Sequence, residues 1–253
     1  MGILKPERLG YSDFTDQPLS ICGRALRAHM SGALYWPNER ALIVSDLHLE
    51  KGSYFAAKGQ MLPPYDTRET LRRLAEAIDA YNAETVIALG DSFHDGEAGS
   101  RMDAEDRETL RIMQDACDWI WIKGNHDRSL PDGIGGDVVQ ELRIEGLTLR
   151  HEPHPGAATH EIAGHLHPAA RVVMYGTALR RPCFAGNGLR LIMPAFGAFT
   201  GGSIYWTTRL RRCLAATAWP FGCLARRASI PSPRACCART DLASQAAAGL
   251  RKI

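Results

Sequence analysis

The chain is 253 residues long, 45% hydrophobic and 23% charged, with a formal net charge of +2. That suits one large water-soluble domain able to bury a substantial core. No run of about 18 apolar residues is present and the N-terminus lacks the apolar segment of a secretory signal, so a cytoplasmic protein is expected by default.

Leu19 to Leu26 and Ala33 to Trp36 read as a hairpin, with its turn at His29-Met30-Ser31-Gly32. Arg40 to Ser45 is a buried strand ending at Asp46. A helix follows from Asp66 to about Tyr81, opened by a capping-box-like Asp66/Glu69 pair, with Leu71, Leu74, Ile78 and Tyr81 on one face. Thr85 to Leu89 is a second buried strand, Asp103 to Cys117 a second helix, and Trp119 to Ile122 a third strand. This alternation is an α/β pattern with a largely parallel sheet. The second half breaks into short strands: Val138–Ile144, Leu147–Arg150, Glu161–Ala163, Ala170–Tyr175, Ala178–Phe184 and Leu189–Met193. Glu145-Gly146 and Gly186-Asn187-Gly188 are hairpin turns between them. A more antiparallel second sheet, packed on the first, is expected.

Candidate metal ligands cluster where these strands end. Asp46 and His48 are two apart past an apolar strand; in extended backbone both project to one side and can share a metal, the alternative being a capping Asp and a surface His. Asp91, after Gly90, offers a carboxylate able to bridge two ions. Asn125 offers a neutral oxygen. His126 is spare for hydrogen-bonding a substrate oxygen or protonating a leaving group, and Asp127 is placed to orient it. His151 ends a strand, and His165 and His167 repeat the two-residue spacing after Gly164. Together these groups point to a site for two divalent metals and to metal-assisted phosphoester hydrolysis. Mixed nitrogen and oxygen donors suit Mn²⁺, with Fe or Zn²⁺ as alternatives, better than Mg²⁺. Lys51, Arg180 and Arg181 are candidates for holding substrate phosphates. His94 is either a support for the ligands or a substrate-facing group.

The blocks Asp46-Leu47-His48, Gly90-Asp91, Gly124-Asn125-His126-Asp127, His151 and Gly164-His165-Leu166-His167 resemble, in order, the signature of the calcineurin-like metallophosphoesterase superfamily. The resemblance implies a four-layer α/β/β/α sandwich. It implies one metal on Asp46, His48 and His167, a second on Asn125, His151 and His165, Asp91 between them, and His126 in catalysis. The stretches around Leu49-Glu50-Lys51, Leu62-Pro63-Pro64, Ser92-Phe93-His94, Arg180-Arg181-Pro182 and Pro194-Ala195-Phe196-Gly197 look like the bacterial DNA ligase-associated metallophosphoesterases. That narrower likeness implies a phosphodiesterase or nuclease in DNA end processing, beside a repair ligase and an exonuclease. A phosphomonoesterase or nucleotide hydrolase is the alternative, and an inactive scaffold the alternative of another class.

Residues 1–202 are expected to form this domain. They carry 21 basic and 27 acidic side chains, a balance of −6 that does not resemble a surface binding nucleic acid by charge alone. Residues 203–253 carry nine basic side chains and one acid, a balance of +8, and four of the seven cysteines. This Ala/Arg/Cys-rich tail departs from the family and is expected to be poorly ordered, as a shifted reading frame would be; a genuine basic, DNA-seeking arm is the alternative. Cys22, Cys117 and Cys183 are expected to be free thiols.

Overall fold

A computed structural model describes residues 16–127, 129–156, 160–174 and 177–200. The expectation for residues 203–253 lies outside them.

The chain opens with β1 (Asp16–Ile21), β2 (Arg24–His29), β3 (Leu34–Trp36) and β4 (Ala41–Val44), each antiparallel to the one before. The turn expected at His29–Gly32 is present and joins β2 to β3, with the Gly32 N–H bonded to the His29 carbonyl at 3.0 Å. A further turn at Cys22-Gly23, both at positive φ, joins β1 to β2, where Ile21 pairs with Arg24. Leu19 to Leu26 therefore spans two strands. A short helix, α1 (Lys51–Ala57), precedes α2 (Asp66–Tyr81). The second of these buries Leu71, Leu74, Ile78 and Tyr81, the face its periodicity predicts. Its expected capping box does not form: Tyr65 takes the N-cap without a side-chain bond, while Asp66 accepts the Gly52 N–H at 2.9 Å.

Next come β5 (Thr85–Ala88), the one-turn α3 (Ala98–Arg101), α4 (Ala104–Ala116), β6 (Asp118–Ile122) and β7 (Asp137–Val139). Asp103 caps α4 by accepting the Glu105 N–H. Strands β4 to β7 are parallel and complete a seven-stranded sheet in sequence order. Side chains alternate across it with period two. Leu42, Val44, Val86, Ala88, Trp119 and Trp121 face α2 and α4, and Ile43, Ile87 and Ile122 face the other way.

That other face meets a five-stranded sheet of β8 (Leu142–Ile144), β9 (Leu147–Arg150), β10 (Glu161–Ala163), β13 (Ala185–Gly186) and β14 (Arg190–Ile192). Leu147, Leu149, Ile162, Phe184, Leu191 and Met193 fill the space between the sheets. The sheet is mixed: β10 runs parallel to both β9 and β14. The segment expected as one strand over Val138–Ile144 divides between the sheets as β7 and β8. A separate hairpin, β11 (Ala169–Met174) with β12 (Thr177–Pro182), stands off the second sheet. The helices therefore cover one face of a two-sheet α/β sandwich. Among the described residues none covers the outer face of the second sheet, and none is long and apolar enough to cross a membrane. Cys22, Cys117 and Cys183 are free thiols.

Candidate metal centre

Five strands end at one place. The parallel β4, β5 and β6 lead to Asp46/His48, Asp91 and Asn125/His126, and the parallel pair β9 and β10 leads to His151 and to His165/His167. Carboxyl ends of parallel strands are where open α/β sheets gather their sites. The loops stay laddered past the strands: Asp46 N–H bonds the Gly90 carbonyl at 3.2 Å, His48 N–H the Asp91 carbonyl at 2.9 Å, and Gly164 N–H the His151 carbonyl at 2.9 Å. Asp46, His48, Asp91, His165 and His167 all adopt the left-handed conformation rather than extended backbone. Asp and His tolerate that region better than most residues, and it turns each side chain inward.

Six candidate ligands fall into two groups, Asp46 with His48 and His167, and Asp91 with His151 and His165; in each, one donor atom per residue lies within 4.8 Å of the others. Asn125 joins the second group, its Oδ1 2.7 Å from His151 Nε2. The donors fit divalent ions. Asp46 Oδ2 accepts the Ser45 hydroxyl at 2.5 Å and the His165 N–H at 3.0 Å. Its Oδ1 is buried without a hydrogen bond and faces His167 Nε2 at 3.1 Å, as two donors to one ion do. His151 donates Nδ1–H to the Leu89 carbonyl at 2.8 Å, which leaves Nε2 as the donor. Around Nε2 stand Asn125 Oδ1, His165 Nδ1 at 3.2 Å and Asp91 Oδ2 at 3.4 Å. So many electron pairs need a cation among them.

The electrostatics agree. Burial works against charge on His151, but the Asp91 hydrogen bond and the Asp46 and Asp91 carboxylates outweigh it and push its pKa to about 9. Burial also opposes ionisation of Asp46 and Asp91, yet the facing imidazoles hold both below the ordinary carboxylate range. His48 moves the other way: burial lowers it to about 3, so it is a neutral donor.

Glycines make room for these side chains. A Cβ on Gly124 would stand 2.2 Å from Asp91 N and 2.3 Å from its Oδ1; one on Gly164 would meet Ser45 Oγ at 1.9 Å. Neither backbone segment could approach so closely with any other residue.

His126 is exposed, its N–H bonded to Asp91 Oδ1 at 2.9 Å and its Nδ1 3.0 Å from the His94 carbonyl. The expected Asp127 contact to that ring is absent. Asp127 is buried and accepts the N–H groups of Ser92, Phe93 and Gly124, so it ties the loop after β6 to the loop after β5. His94 stacks on His126 with centroids 5.4 Å apart, and its Nδ1 is 3.5 Å from that of His48. Burial, then Lys51 and other neighbouring charges, lower it to about 4. Tyr54 and Phe55 of α1 lie against His94. Neither was singled out from sequence; the aromatic pair three residues past Lys51 is the signal available.

Lys51 is half-buried, donating to the Phe199 carbonyl at 3.3 Å. Arg180 and Arg181 are neighbours on β12 and project to opposite faces, so one substrate group meets at most one of them. Register sets Arg181 across from Ala170, three residues past His167. An open cleft of about 490 Å³ beside the second group is lined by Lys123, Asn125, Glu141, Arg150, His151 and Glu152.

The sequence profile described as calcineurin-like phosphoesterase matches residues 39–181. Among solved structures, the chain is similar to Pseudomonas putida nuclease MPE, with 35% identity, a TM-score of 0.61, and coverage of 74% of this chain and 90% of that one. Likeness to YfcE, a phosphoesterase from E. coli, is 18% in identity with a TM-score of 0.37, covering 64% of this chain and 83% of that one, too loose to carry an argument. Comparison with curated protein sequences gives no match.

Proposed function

We propose that this chain, which belongs to the calcineurin-like phosphoesterase family and is a metal-dependent phosphoester hydrolase, cleaves phosphodiester bonds in DNA during end processing or repair. Similarity to a nuclease over 90% of that protein's length carries the reading. Asp46, His48 and His167 would hold one divalent ion, and Asn125, His151 and His165 the other, with Asp91 shared. Mn²⁺ suits this donor set, with Fe or Zn²⁺ next. When bound, two such ions supply Lewis acidity at the phosphoryl group and an acidified water.

The chain's own residues do the rest. His126 engages the His94 carbonyl through Nδ1, so the proton it can give or take sits at Nε2. An exposed imidazole beside the ligands can protonate the leaving alkoxide. Asp127 holds the two loops that carry Asp91 and His126, as a positioning residue. Lys51 and one of Arg180 and Arg181 neutralise substrate phosphates. A DNA ligase and an exonuclease would act alongside, in the cytoplasm.

The test is turnover of bis-p-nitrophenyl phosphate against p-nitrophenyl phosphate with Mn²⁺, alongside nicked, gapped and 3′-blocked DNA. Hydrolysis of the diester and of DNA is expected to exceed hydrolysis of the monoester. Turnover of the monoester alone would assign a phosphomonoesterase instead.

A further inference from the structure

Helix α1 contributes little to the core. Gly52 is its one buried residue, seated against Asp66 and the Pro63 carbonyl. Along its other side Lys51, Tyr54, Phe55 and Lys58 recur at i, i+3, i+4 and i+7, which aligns them on one helical face. Tyr54 and Phe55 are only half-buried. Tyr54 meets His94 edge-on with centroids 4.6 Å apart, Phe55 lies 5.8 Å from His94, and His94 stacks on His126. An array of rings thus runs from His126 out to α1, with an ammonium group at each end of the helical face. Lys51 sits at the inner end; exposed Lys58 sits at the outer end, its Nζ 4.0 Å from the Tyr54 ring centroid.

We propose that this face of α1 is a nucleotide subsite: Tyr54 and Phe55 stack on the unpaired base next to the scissile phosphodiester, and Lys51 and Lys58 hold the adjoining phosphates. The inference rests on the phosphodiesterase reading above and names the residues that would give it a preference for unpaired nucleotides. Aromatic rings left half-exposed against His94, one ring away from His126, and bracketed by cations, match both parts of a nucleotide. Lys58 also donates to the Tyr54 hydroxyl, which holds its ammonium at the ring where the phosphate next to a stacked base would lie. Residues 1–202 carry an acidic balance of −6, so within this domain cations placed locally, such as Lys51 and Lys58, are what favour a polyanion.

The experiment compares KM, with Mn²⁺, for a short single-stranded oligonucleotide and for a strand of equal length made of abasic sites. The full-length protein and its Tyr54→Leu/Phe55→Leu variant are both measured. Wild type is expected to show a KM about tenfold or more higher on the abasic strand. The variant is expected to show a raised KM on the normal strand and to lose the discrimination. Equal KM for the two strands in wild type, or full discrimination kept by the variant, overturns the subsite. Should the variant fail to fold, the wild-type comparison decides alone. Absence of hydrolysis of bis-p-nitrophenyl phosphate and of both strands would remove the underlying reading and the subsite together, whereas cleavage of both strands with equal KM removes the subsite only.

Discussion

His151 has one nitrogen committed to the Leu89 carbonyl and the other surrounded by an amide oxygen, a carboxylate and a second imidazole. Without metal, a proton is the cation that occupies this place, and its pKa rises from 6.5 to about 9. A raised folded-state pKa gives stability that is complete below 6.5 and is lost as pH rises through about 9. Metal takes the same electron pair, so binding at pH 7.5 should release close to one proton from this site. Calorimetry in buffers of differing ionisation enthalpy checks this; heat independent of the buffer would contradict it. His126→Ala should keep the metal content of the wild type and lose roughly 10²–10⁴-fold on diesters with alkoxide leaving groups, and much less on nitrophenyl esters. Equal losses on both would remove His126 from leaving-group protonation. The identities of these residues were legible in the sequence, because ligand chemistry restricts residue type. The partner of Asp127 was not. Sequence adjacency suggested the neighbouring imidazole, whereas the fold brings three N–H groups, from two loops, to its carboxylate.

The elements that were read correctly are those whose burial leaves a period: α2, α4 and the apolar β4, β5 and β6. The ones misread lack it. Strands β7 and β8 are separated in sequence only by Gln140-Glu141, yet they belong to different sheets. Helix α1 buries only Gly52 and so has no apolar stripe to announce it. The extended geometry expected at Asp46 and His48 was also wrong, since five of the seven proposed ligands have positive φ. Left-handed non-glycine residues cost about 1–3 kcal/mol each, a strain that the laddered loops and bound metal must offset. The glycines within the motifs are explained by closeness to the ligands. Gly124→Ala would drive a methyl group into Asp91. We expect that variant to remain folded by circular dichroism but to lose metal at the second group, with diesterase activity falling at least 100-fold, on the order of one removed electrostatic donor. A variant with full metal content and turnover would show that the loop can shift at little cost.

At the level of the whole molecule, the proposed ligands lie 121 residues apart in sequence, from Asp46 to His167, and come from both sheets. The greasy interface between the sheets sets their spacing, and bound metal would cross-link them. Ions that bind only the folded chain stabilise it by about 2.7 kcal/mol per site at 100 times Kd. With two such sites, chelation should therefore lower the melting temperature by about 10–20 °C, and an unchanged melting temperature would mean that the site is not held by metal. The two-sheet architecture was legible from the change from βα alternation to short strands. The parallel pairing of β9 with β10 was not, because strand direction is set by the connection between His151 and Glu161 and leaves no local pattern. The number of ions bound tests the two-metal site most directly. Equilibrium dialysis against Mn²⁺, with diester hydrolysis followed at each point, should saturate at two ions per chain, with activity appearing as the second fills. Saturation at one ion with full activity would contradict it.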